Sequence, residues 1–118
     1  MEASNSVFDL NKLRQMQKLM GDRFDQLKDL FIQSCNNKVI ELQNAAAEQD
    51  LEQIKAIAHA IKGSAGNIGA IQLQQLAMTI EEQIKQSQYE ALAETIAGTS
   101  QCVAATINAL EQFNTDST

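Results

Sequence analysis

The sequence predicts an all-α domain: an antiparallel up-down-up-down four-helix bundle with a short extra N-terminal helix. Three observations carry that reading. Pro is absent from all 118 residues and there are only 5 Gly, whereas Ala, Gln, Leu and Ile abound, a composition that favours helices. An all-β fold would need more turn residues and more Val, Thr and aromatics, and aromatics make up 4% of the chain. Apolar residues recur at three- and four-residue steps along four long segments. Short breaks join these segments, which makes neighbouring helices antiparallel.

Residues 1–7 are mostly small and polar and read as a flexible tail. Asp9 can cap a short helix carrying Leu10, Leu13, Met16 and Met20, with Phe8 before the cap as a hydrophobic staple. Gly21 ends it and Asp22 can cap the next. Phe24, Leu27, Phe31, Cys35, Val39, Leu42 and Ala46 form one stripe over about residues 22–48. Asp50 caps a third helix lined by Leu51, Ile54, Ile57, Ile61, Ala65 and Ile68, with Gly69 as its break. Leu73, Leu76, Ile80 and Ile84 make a fourth stripe, which ends at Gln86-Ser87-Gln88. Tyr89, Leu92, Ile96, Val103, Ile107 and Leu110 make the last, which runs to Phe113 and contains Gly98, a residue of low helix propensity. The domain is expected over residues 8–114, with residues 115–118 as a second flexible tail.

The net charge is −6, which repels phosphate backbones and argues against a nucleic-acid partner. No run of about 18 apolar residues could span a membrane, and Met1 to Ser6 lack the basic and apolar regions of a signal peptide. A cytoplasmic chain without direct membrane contact is expected. Cys35 and Cys102 lie in apolar stripes and read as buried reduced thiols. The chain has one His and no closely spaced ligand pairs, so no metal site is expected.

That one histidine, His59, is the informative residue. Ile57 and Ile61 flank it at two residues on either side and belong to the buried stripe, so His59 faces away from the core. Its helical neighbours are Lys55, Ala56, Lys62 and Gly63, with Gly66 a turn further. Each Gly in a helix interior costs about 1 kcal/mol relative to Ala. Two of them beside an exposed imidazole suggest that another surface approaches closely. A neutral imidazole is nucleophilic near neutral pH, since its ordinary pKa is about 6.5, and it can accept a phosphoryl group as a covalent intermediate. Lys62 would supply countercharge for the phosphoryl oxygens. A plain surface histidine beside a weakened helix end is the other reading of the same residues.

The stretch His59-Ala60-Ile61-Lys62-Gly63-Ser64-Ala65-Gly66-Asn67-Ile68-Gly69-Ala70 closely resembles the signature of histidine-containing phosphotransfer (HPt) domains of bacterial multistep two-component phosphorelays. The likeness extends to Phe8-Asp9-Leu10, Gly21-Asp22, Asp50-Leu51, Leu73, Leu76 and Glu81-Glu82, and covers about residues 8–113. The resemblance implies that His59 is phosphorylated on the imidazole nitrogen farther from the backbone. It implies that Lys62 offsets the phosphoryl charge and that Gly63 keeps the surface low for a receiver domain. Glu81 stands where family members carry Gln or Glu facing the imidazole. As a carboxylate it can accept from the other ring N–H and select the nucleophilic tautomer.

The family mechanism implied is a phosphocarrier, not an enzyme with its own nucleotide site. It would take a phosphoryl group from an aspartyl phosphate on the receiver domain of a hybrid sensor histidine kinase and pass it to an Asp of a response regulator. Mg²⁺ would belong to the receivers, and no cofactor to this chain. Helical geometry and the family together place the docking face at Lys55, Ala56, Ala60, Gly66 and Asn67, with Gln74 and Met78 on the next helix. The chain would stand free or form the cytosolic C-terminal module of a membrane sensor kinase. An HPt-like module that docks receivers without transferring phosphate is the main alternative. The dimerising hairpin of a histidine kinase is a third reading, but four long stripes in one chain predict a monomer. A bundle enclosing metal or haem lacks inward-facing ligands.

Overall fold

The computed structural model describes residues 7–116, with side chains described through Phe113. Of the tails expected at 1–7 and 115–118, residues 1–6 and 117–118 lie outside the described residues; Val7 is partly buried against the core, and the expected C-terminal tail starts too early, since the last helix runs on through Asp116. All regular structure among the described residues is helical. The helices are α1 (Leu10–Met20), α2 (Arg23–Ala47), α3 (Leu51–Ile68), α4 (Ile71–Lys85), α5 (Tyr89–Ala97) and α6 (Thr99–Asp116). At 1.5 Å per residue α2 spans about 37 Å, and it accounts for most of the 44 Å long axis of the molecule. Helix α3 packs on α2 and α4; α6 packs on α2 and α4; α1 leans on α2.

The expected stripes are the core. Ile54, Ile57, Ile61, Ala65 and Ile68 of α3 meet Phe24, Phe31 and Leu42 of α2, Leu73, Ala77 and Ile80 of α4, and Leu92, Ile96, Val103 and Leu110 of α5 and α6 in one buried cluster. Phe24 and Phe113 stack edge to face, ring centroids 6.2 Å apart, an arrangement worth about 1 kcal/mol beyond burial. It fastens the start of α2 to the end of α6. Lys28, one turn along α2, lays its stem in the same region, its ammonium 5.8 Å from the Phe24 ring centroid and 3.6 Å from Asp25.

Three helix ends close in the same way. Asp50 N–H donates to Ala45 O, Ala70 N–H to Ala65 O and Gln88 N–H to Gln83 O, at 3.0, 2.8 and 2.9 Å. Each reaches five residues back around a residue with positive φ: Gln49, Gly69 and Ser87. Asp9 and Asp50 cap as expected, accepting from the N–H groups of Lys12 and Gln53 at 3.1 Å each.

Four further expectations need correction. Asp22 does not cap α2 through its side chain, because its own backbone is already helical. The last stripe is two helices, not one. Gly98 N–H is shared between Glu94 O and Thr95 O, while the hydroxyls of Thr95 and Thr99 bond carbonyls four residues back. The shared N–H marks the interruption of the ladder at the glycine, where helix propensity is lowest; Thr79 and Thr106 make the same hydroxyl-to-carbonyl bond within unbroken α4 and α6, so those bonds alone do not end a helix. Tyr89 is half exposed at the start of α5, outside the core. Of the thiols, Cys35 is buried and Cys102 only half-buried.

Candidate functional site

The site sits on α3 and α4, the most extensively paired helices. Helix α3 buries Ile57, Ala58 and Ile61, and that forces His59 outward: its side chain is 74% exposed. On α4, Ala77 and Ile80 are buried, and the next residue, Glu81, is turned toward α3. The adjacent pair Glu81-Glu82 thus separates. Glu82 is exposed and accepts from Gln86 Nε2 at 2.7 Å, whereas Glu81 reaches the histidine.

One carboxylate holds two partners. Glu81 Oε2 lies 3.2 Å from His59 Nδ1, and Glu81 Oε1 accepts from Lys62 Nζ at 2.8 Å. The Glu81 side chain is 21% exposed and that of Lys62 33%. The Lys62 ammonium, with His59 adding to it, holds the Glu81 carboxyl below the usual glutamate range, against the opposing pull of partial burial. An ionised Glu81 can only accept. Nδ1 of a neutral imidazole must then carry the proton, and Nε2 keeps its lone pair. The arrangement presents a nucleophilic nitrogen on an exposed side chain, with an ammonium one turn away.

The two glycines beside His59 differ. Nothing lies within 4 Å of the position a Cβ would take at Gly63, so the surface there is open. A Cβ at Gly66 would lie 2.5 Å from Gln74 Nε2; the chain's own α4 side chain covers that site. Gly66 and Gln74 are both half-buried. Lys55, Ala56, Ala60 and Asn67 are exposed on α3, and Met78 is 50% exposed on α4. Sequence reasoning missed one support. Lys12 Nζ donates to Gly66 O at 3.1 Å, and Asp9 N–H donates to Gly69 O at 2.8 Å, so α1 ties down the end of α3. These partners are more than fifty residues apart, and no local pattern announces them.

A family model of the Hpt domain matches residues 26–113, about three quarters of the chain. The chain belongs to the Hpt domain family. Histidine phosphotransfer in two-component phosphorelays is the role of HPt domains. In fold, this one is similar to the histidine-containing phosphotransfer domain of ArcB from Escherichia coli, with a TM-score of 0.85 at 24% identity, over 98% of this chain and 99% of that one. It is also similar to histidine-containing phosphotransfer protein B from Pseudomonas aeruginosa PAO1, with a TM-score of 0.82 at 22% identity, over 92% of this chain and 95% of that one. No curated protein sequence matches the chain. No helix among the described residues is long and apolar enough to cross a membrane.

Proposed function

We propose that this HPt domain carries a phosphoryl group on Nε2 of His59 between two receiver domains. The observation that carries the reading is the contact of Nδ1 with Glu81 at 3.2 Å on an imidazole that remains largely exposed. The Nε2 lone pair would form the N–P bond as the P–O bond of an aspartyl phosphate breaks, the electron pair leaving with the aspartate carboxylate. Nδ1 keeps its proton throughout, facing Glu81, which steadies the positive charge that the ring gains. The reverse step delivers the group to an Asp of the second receiver. In-line approach is a matter of positioning, and the open surface at Gly63 supports it.

The donor is read as the receiver domain of a hybrid sensor histidine kinase and the acceptor as a response regulator, with Mg²⁺ on the receivers. Ala56, Ala60, Gly63, Asn67 and Met78, with Lys55 at the rim, form the docking face; small side chains and one apolar anchor suit a transient complex. The scaffold is read as an antiparallel four-helix bundle of α2, α3, α4 and α5–α6, with α1 in front, over residues 8–114. A cytoplasmic monomeric phosphocarrier completes the reading.

The test is a transfer assay. The protein and a His59→Gln copy are incubated with labelled, phosphorylated receiver domains, and the label is followed by acid and base stability. Acid-labile label on the first and none on the second is the expected result. Label on both would place the acceptor elsewhere. A folded chain that takes no label from any receiver would instead be a docking module.

A further inference from the structure

Lys62 is the residue expected to offset the phosphoryl charge, yet its ammonium is already engaged. It donates to Glu81 Oε1 at 2.8 Å, a shorter contact than the 3.2 Å between His59 Nδ1 and the other carboxylate oxygen. Both partners of the ion pair are largely covered, at 33% and 21% side-chain exposure, so solvent screens the pair less than an open surface pair. A phosphoryl group on Nε2 would sit across the ring from Nδ1, away from Glu81, and would bring about two negative charges. Glu81 cannot share that position without like-charge repulsion. The ammonium then has two anionic claimants, one of them held in place from α4.

We propose that Glu81 is a positioning residue that withholds Lys62 from the phosphoryl group and thereby masks the stabilisation that the ammonium would give to phosphohistidine. The proposal rests on the phosphocarrier reading and adds a consequence to it. A phosphohistidine with its nearest cation withheld is held less firmly and is a better donor. Replacing Glu81 with the neutral amide of Gln removes the competing charge and frees Lys62 for the phosphoryl oxygens.

The experiment is a two-residue cycle on the whole chain: wild type, Lys62→Met, Glu81→Gln and the double variant. Each is phosphorylated chemically with phosphoramidate, so that no partner protein is involved. The phosphohistidine is identified by ³¹P NMR and its lifetime measured at mildly alkaline pH, with helical content checked by circular dichroism. Lys62→Met is expected to shorten the lifetime less than about twofold when Glu81 is present, and roughly three- to fivefold in the Glu81→Gln background, the span of a single ion pair. Equal factors in the two backgrounds overturn the proposal while leaving the carrier reading intact. A folded wild-type chain that forms no phosphohistidine overturns both. The carboxyl ¹³C signal of Glu81 gives an independent readout. On phosphorylation of the wild type it should stay apart from the position seen in phosphorylated Lys62→Met; movement to that position would show that the ammonium has left Glu81, contrary to the proposal.

Discussion

Gly63 and Gly66 stand three residues apart on α3 and lack a side chain for different reasons. The space above Gly63 is empty, so an Ala there meets no neighbour and gains helix propensity. Gly63→Ala should raise unfolding stability by about 0.5–1 kcal/mol, while a bulky residue at the same place should slow transfer from receivers without unfolding the chain. At Gly66 the gain is opposed, because the Gln74 amide would have to move. Gly66→Ala should therefore be near neutral in the wild type and should stabilise by about the Gly63→Ala amount in a Gln74→Ala background. Urea unfolding of the four proteins checks this, and no coupling between positions 66 and 74 would refute it.

At the scale of elements, the ends of the helices decide where the site residues fall. The turns after α2, α3 and α4 close by the same five-back hydrogen bond, and two of the three place a non-glycine at positive φ. Those positions, Gln49 and Ser87, give no glycine signal, yet the polar breaks around them were sufficient to delimit the helices. Caps were less uniform. Asp50 accepts from Gln53 N–H at 3.1 Å and sets the first turn of the helix that carries His59. Asp22 makes no such bond. Asp50→Ala is expected to cost about 1 kcal/mol, and Asp22→Ala to stay within about 0.5 kcal/mol of wild type; thermal unfolding of the two variants separates them.

Over the whole molecule, α2 and α6 are brought together by packing that no local pattern specifies, and the two thiols report on it. Burial, with Cys102 nearby adding to it, pushes the Cys35 thiol up to about 11; burial also raises that of Cys102. A thiol needs its thiolate to react, so both should be slow toward alkylating reagents near neutral pH. Half-buried Cys102 should react first and Cys35 only when the chain opens. The sign of the pH effect follows from the raised value. Keeping the Cys35 thiol neutral favours the folded state below its unfolded pKa, and that preference is lost as pH rises toward 11. Alkaline titration of wild type against Cys35→Ala should show this window. A Cys35 that alkylates as fast as a free thiol in the native protein would contradict it.

The all-helical class, the boundaries of α1 to α4 and the exposed His59 beside Lys62 were legible from the sequence, because helical periodicity is local: burying Ile57 and Ile61 leaves His59 no other direction. Composition also marked the weak point at Gly98, but not that it parts α5 from α6, where the Gly98 N–H is shared between the carbonyls of Glu94 and Thr95. The resemblance set Glu81 opposite the imidazole as an acceptor for its other ring N–H, but did not set it against Lys62. Tertiary structure alone brought its carboxylate between His59 and Lys62, closed Gln74 over Gly66 and tied Lys12 to the end of α3. Each of these depends on how two helices are rotated and offset against one another, a matter settled by core packing across the interface. A sequence pattern fixes which face of a helix is buried; the distance between two side chains on different helices emerges only when those faces meet.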